Sequence, residues 1–134
     1  MPPKILVVED DESILNLECI LLASAGYQAS AAMSGNDAFN NIANNPPDLI
    51  LLDVMLPGLD GLEICKQLKS NAKTQHIPVI FLSGKSTPAD ILKGKQVGGD
   101  QYITKPFKSA TLMNSINQLL KIDTSGSTVK RGFY

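Results

Sequence analysis

An alternation running nearly the whole length of the chain constrains its fold more than any other feature. Five short apolar runs, Ile5–Val8, a weaker Gln28–Ala32, Leu49–Leu52, Val79–Leu82 and Gln101–Thr104, are separated by longer stretches of helical character. Runs of four or five residues without polar alternation are the pattern of strands covered on both faces. Repeated strand–helix units give parallel strands joined by helical crossovers, with helices on either side of the sheet. The expected fold is therefore α/β, a doubly wound five-stranded parallel sheet in a compact (βα)5 sandwich. One such sandwich occupies residues 1–122 of the 134, and the polar stretch Asp123–Tyr134 reads as a tail or the start of a linker.

Local chemistry marks where the helices begin and end. Ser34, Asp60 and Thr87 each stand three residues before a carboxylate (Asp37, Glu63, Asp90), an arrangement that satisfies the orphan N–H groups of a helix start. Pro88 falls at a first helical position, where its missing N–H costs nothing. Gly26 closes a helix over Glu12–Ala25, and Gly98-Gly99 close one over Pro88–Val97. A last helix, Ser109–Ile122, carries Leu112, Ile116, Leu119 and Leu120 on one stripe. Pro88–Val97 is poorer, because Lys93, Lys95 and Gln96 dilute Ile91 and Leu92; such a helix is expected to be loosely held.

Composition removes several classes of function. Twelve Lys+Arg against 13 Asp+Glu leave a formal charge of −1, and no basic run exists to drive direct nucleic-acid binding. The apolar run Ile5–Val8 passes straight into four acids, so the N-terminus is neither a signal peptide nor an anchor, and no membrane span is expected. A cytoplasmic setting follows as the default. Cys19 and Cys65 lie inside apolar helical patterns, as buried thiols do, and context gives no support to a disulfide between them. His76, the single histidine, sits in a polar loop and is expected to be solvated.

The chemistry gathers where strands end. Ile5–Val8 runs into Glu9, Asp10, Asp11 and Glu12; Leu49–Leu52 ends on Asp53; Val79–Leu82 ends on Ser83; Tyr102–Thr104 ends on Lys105-Pro106. In a parallel sheet these ends share one edge, where doubly wound folds bind ligands. Carboxylates crowded there repel one another unless a cation intervenes, and Mg²⁺ favours such hard oxygen donors. Lys105 and Ser83 add an ammonium and a hydroxyl, so that with Mg²⁺ the group can hold a phosphoryl and Asp53 can act as nucleophile. Plainer readings stand beside these: Asp11 and Glu12 as helix-start charges, Asp53 with Lys105 as a structural ion pair, and Tyr102 as a packing residue.

The strings ILVVEDD, LILLDVMLPGLDG, PVIFLSGKS and YITKPF resemble the receiver domain of two-component response regulators, over about residues 4–121. The resemblance implies a CheY-like, flavodoxin-like sheet in the order 2-1-3-4-5. It implies that Asp53 accepts a phosphoryl group from a sensor histidine kinase or phosphotransfer protein. Glu9, Asp10, Asp53 and the Met55 carbonyl would serve the metal, Mg²⁺ or alternatively Mn²⁺, with Lys105 pairing the phosphate and Lys105–Pro106 cis. Ser83 and Tyr102 would be the switch pair: Ser83 moves toward the phosphoryl, Tyr102 turns into the vacated space, and the face of the fourth helix, fifth strand and fifth helix signals to a downstream protein. Such a domain is a switch and not an enzyme, its only chemistry being its own phosphorylation and dephosphorylation.

Several residues depart from the family's commoner choices. Gly84 stands where alanine is frequent, Gln101 where an acid is, and no arginine or glutamate lies between Ser109 and Ile122, so a monomer or weak dimer is expected. Met55 and Lys85, each two residues past a key position, are expected to shield the phosphorylated state from water. The alternative is a pseudo-receiver that binds partners without phosphorylation; the full set of acceptor and metal residues argues against it. A dehalogenase-like phosphatase would need an acid where Met55 stands. A flavodoxin-like carrier would need a phosphate loop where the acids Glu9–Glu12 would repel FMN.

Overall fold

The computed structural model describes residues 2–121. Strands and helices alternate as β1 (Lys4–Val8), α1 (Glu12–Ser24), β2 (Gln28–Ala32), α2 (Gly35–Asn44), β3 (Leu49–Leu52), α3 (Gly61–Lys69), β4 (Val79–Ser83), α4 (Pro88–Gln96), β5 (Gln101–Thr104) and α5 (Ser109–Leu119). All five strands pair in parallel, in the order β2-β1-β3-β4-β5. The α/β fold class expected from the alternation is thus observed, and so is the order implied by the resemblance.

Successive strand residues point to opposite faces, which divides the interior into two cores. Leu6, Val8, Ile50, Leu52, Val79 and Phe81 meet α2 and α3 through Ala38, Ile42, Ile64 and Leu68. Ile5, Val7, Leu49, Leu51, Ile80 and Leu82 meet α1 and α5 through Leu15, Leu22, Leu112 and Ile116. Each aliphatic side chain buried this way contributes about 1.5–3 kcal/mol of transfer free energy, so the three central strands anchor the molecule. β2 and β5 are the two edges, which explains their weaker apolar character. They are not fully covered: Gln28 and Ala31 are exposed, and only Ile103 of β5 is buried.

The capping signals act as expected. Ser34 Oγ accepts from Asp37 N–H at 3.2 Å and Asp60 Oδ1 from Glu63 N–H at 2.9 Å. At α4 the exchange is reciprocal, Thr87 Oγ1 accepting from Asp90 N–H and Asp90 Oδ2 from Thr87 N–H. Gly26 and Gly98 turn the chain at φ +94° and +99°. Some boundaries differ from expectation. α1 stops at Ser24, α4 at Gln96, and α5 at Leu119 instead of Ile122, where Lys121 takes a left-handed φ of 59° that a right-handed helix cannot include. The stretch Asp123–Tyr134 lies outside the described residues. Among the described residues no helix is long and apolar enough to cross a membrane.

Candidate functional site

The hydrogen-bond ladder of the sheet extends past the strand ends and fixes the residues that matter. Glu9 N–H donates to the Ala32 carbonyl at 3.0 Å, Asp53 N–H to the Val8 carbonyl at 3.1 Å, and Lys105 N–H to the Ser83 carbonyl at 2.8 Å. The register that pairs Val8 with Leu52 sets Glu9 and Asp53 side by side at the next position. The backbone therefore delivers four side chains to one edge before any of them interacts. The β3–α3 connection is closed by Gly61, whose N–H donates to the Val54 carbonyl at 3.0 Å. A Cβ at Gly61 would stand 2.0 Å from the Asp53 carbonyl oxygen, so the helix can come this near Asp53 only without a side chain there.

Carboxylate oxygens of Glu9, Asp10 and Asp53 all lie within 4.8 Å of one another. Glu9 is 3% exposed and Asp53 7%, whereas Asp10 is open to solvent. Lys105 Nζ answers the two buried acids, donating to Glu9 Oε1 at 2.5 Å and to Asp53 Oδ2 at 3.3 Å. Asp53 Oδ1 accepts from Met55 N–H at 3.0 Å, and Glu9 Oε2 from Asp11 N–H at 3.2 Å. Burial pushes the Glu9 carboxyl above its usual pKa, outweighing the Lys105 bond and the Asp11 N–H. Burial opposes the Lys105 charge, but its bond to Glu9 and the attraction of Asp53 and the other acids hold its pKa high. One ammonium thus pairs with two of three clustered carboxylates and leaves Asp10 to solvent. Hard oxygens so spaced, one of them exposed, fit an oxygen-preferring divalent cation.

Ser83 is fully buried; its Oγ accepts from Lys85 N–H at 3.2 Å, which leaves the hydroxyl proton available to a further acceptor. Tyr102 lies half-buried with its ring inward, its centroid 5.7 Å from that of Phe81, and its hydroxyl donates to the Lys85 carbonyl at 2.5 Å. Lys105–Pro106 is cis. Met55, 56% exposed, and Lys85 line one groove beside the acids, together with Asp10, Leu62 and Tyr102. The structure thus brings together Glu9, Asp10, Asp53 and Lys105, with Ser83, Met55 and Tyr102 around them. Asp11 instead caps α1, accepting from Ile14 N–H at 3.1 Å, and His76 is exposed in its loop.

Sequence reasoning missed Glu18. It shares the buried stripe of α1 with Leu15 and Leu22, is 2% exposed, and its Oε2 has no hydrogen-bond partner among the described residues. Burial lifts its pKa from 4.5 to about 7; Lys105 pulls the other way, and Glu9 and Asp53 add to the rise. The available signal was an acid set into an apolar stripe.

Comparison with known proteins gives one answer. The family model of the response regulator receiver domain matches residues 5–117. The chain is 34% identical over 121 residues to the phosphate regulon transcriptional regulatory protein PhoB of Rhizobium meliloti (strain 1021), covering 90% of this chain and 53% of that protein. The chain therefore spans about half the length of this curated relative. Among solved structures, a putative response regulator from Chloroflexus aurantiacus J-10-fl superposes with a TM-score of 0.86 at 31% identity, covering 90% of this chain and 98% of that one. Vibrio cholerae chemotaxis protein CheY4 superposes with a TM-score of 0.83 at 28% identity, covering 89% and 99%.

Proposed function

The chain belongs to the response regulator receiver domain family, and on that premise we propose that it is a phosphorylation-controlled switch whose acceptor is Asp53. The observation that carries this reading is the union of three acid oxygens within 4.8 Å with a lysine bonded to both buried acids. Receiver domains are signalling modules and not turnover enzymes, and two-component signalling supplies the partner class, a histidine kinase.

In this reading an Asp53 carboxylate oxygen attacks the phosphorus of the kinase's phosphohistidine, the P–N bond breaks, and the imidazole leaves. Glu9, Asp10, Asp53 and the Met55 carbonyl would hold Mg²⁺ or Mn²⁺, which would supply positive charge against the phosphoryl oxygens. Lys105, freed from sharing Asp53, pairs with a phosphoryl oxygen, and Ser83 donates its hydroxyl proton to another. Positioning and charge neutralisation are most of what phosphoryl transfer needs. Ser83 and Tyr102 then act as the switch pair that alters the α4–β5–α5 face toward a downstream protein, in a cytoplasmic setting.

Incubation with acetyl phosphate and Mg²⁺, followed by phosphate-affinity electrophoresis, tests the reading. A retarded band is expected for the wild type and none for Asp53→Asn; no band in either would leave a phosphorylation-independent interaction module. Met55 and Lys85 flank the open side of the site and are proposed to obstruct the attacking water. Met55→Asn and Lys85→Ala are each expected to shorten the phosphoprotein's half-life several-fold, followed by loss of the band with time; unchanged or slower loss in both would refute the shielding.

A further inference from the structure

Helix α4 rests on an unusual seat. Gly94 is its only buried residue, and what it rests against is the Tyr102 ring. A Cβ at Gly94 would stand 2.7 Å from Tyr102 Cδ2, 3.1 Å from Cε2 and 3.2 Å from Phe81 Cδ2. Just beyond the helix, a Cβ at Gly99 would meet Phe81 Cε2 at 2.6 Å. Two glycines thus form a cradle for an aromatic pair. A glycine in a helix interior weakens the folding equilibrium about fivefold relative to alanine, so helix formation alone does not account for Gly94.

The other side of the ring is tied to the site. The Tyr102 hydroxyl donates to the Lys85 carbonyl, and the Lys85 N–H donates to Ser83 Oγ. One residue, Lys85, therefore links the buried hydroxyl to the ring, through its N–H on one side and its carbonyl on the other, and the ring packs in turn against α4. The sequence of contacts is Ser83, Lys85, Tyr102, Gly94.

We propose that Gly94 is a positioning residue: the missing side chain at 94 permits the inward ring of Tyr102, and through this contact the ring's position is passed to α4. A methyl group at 94 excludes the inward ring, because it would stand 2.7 Å from Tyr102 Cδ2 while Phe81 Cδ2, 3.2 Å from the same position, leaves it nowhere to move. Gly94→Ala would then hold Tyr102 outward, break its bond to the Lys85 carbonyl and uncouple α4 from Ser83. The signalling consequence rests on the proposed role of Asp53; the packing relation does not.

The test is a cycle of Gly94→Ala, Tyr102→Ala and the double variant, read three ways. In the Tyr102→Ala background, Gly94→Ala is expected to raise the melting temperature, as helix propensity dictates; with the tyrosine present it is expected to lower it. Nuclear Overhauser contacts between the Tyr102 and Phe81 rings are expected to vanish in Gly94→Ala. Affinity for beryllofluoride with Mg²⁺, a phosphoryl mimic, is expected to weaken about fivefold or more in Gly94→Ala, within the usual range of coupling between sites. Equal stabilisation in both backgrounds with the ring contacts retained would overturn the proposal, and so would unchanged beryllofluoride affinity. A wild type that does not bind beryllofluoride would sink the phosphoacceptor reading instead, while the melting temperatures and ring contacts would still decide the seat.

Discussion

At the scale of single residues, Glu18 is the side chain most at odds with its surroundings. An ionised carboxylate without a hydrogen-bond partner is costly to bury, so this one favours the proton, with a folded-state pKa of about 7 against 4.5. A group whose pKa rises on folding takes up a proton as the chain folds. Its contribution is intact below about pH 4.5, declines as the unfolded chain ionises, and is gone once pH has climbed through about 7. The difference of about 2.5 pKa units corresponds to roughly 3 kcal/mol. Between pH 5 and pH 8 the wild type is therefore expected to lose on the order of 3 kcal/mol of stability relative to Glu18→Leu. Urea midpoints across that range measure it, and a constant difference between the two proteins would show that Glu18 does not titrate on folding.

At the scale of elements, the molecule is unevenly fastened. α1, α2, α3 and α5 each bury several side chains, whereas α4 buries Gly94 alone and is held by its reciprocal cap and the Tyr102 ring. Segments with so little buried apolar surface open below the global unfolding free energy. Amide protection in α4 is thus expected to fall at least tenfold below that in α1 and α3, by hydrogen exchange under native conditions; equal protection would contradict this. The sparse burial of α4 was legible in the sequence, because lysines at 93 and 95 and a glutamine at 96 dilute the stripe of Ile91 and Leu92. So were the caps at Ser34, Asp60 and Thr87, which depend only on neighbours a turn away. The end of α5 was not legible, since the left-handed turn at Lys121 follows a leucine-rich stretch that would equally continue a helix. Glu18 stayed hidden for a related reason: α1 is apolar on most sides, so its pattern does not say which face turns inward. Gly94 stayed hidden because the ring that gives it meaning comes from a different element.

At the scale of the whole molecule, the sheet gathers charge that no single segment possesses. A chain with a formal charge of −1 overall concentrates Glu9, Asp10 and Asp53 at one edge and sets Lys105 against them. Their convergence was readable from the strand ends, because parallel strands share one direction. The strand order was not, since any order of five apolar strands has the same periodicity, and it came from the family resemblance. Lys105 offsets only part of the charge of three acids held this near one another, so a divalent cation bound by all three would stabilise the folded state. Mg²⁺ is therefore expected to raise the melting temperature, the gain reaching roughly 2.7 kcal/mol when the ion is a hundredfold above its Kd. Asp10→Asn removes the exposed carboxylate while leaving the Lys105 bonds to Glu9 and Asp53 in place, and it is expected to lose most of that gain. Thermal melts with MgCl₂ against NaCl of equal ionic strength separate ligation from screening. An equal rise in the two salts, or an undiminished rise in Asp10→Asn, would mean that the three acids do not act together as a metal site.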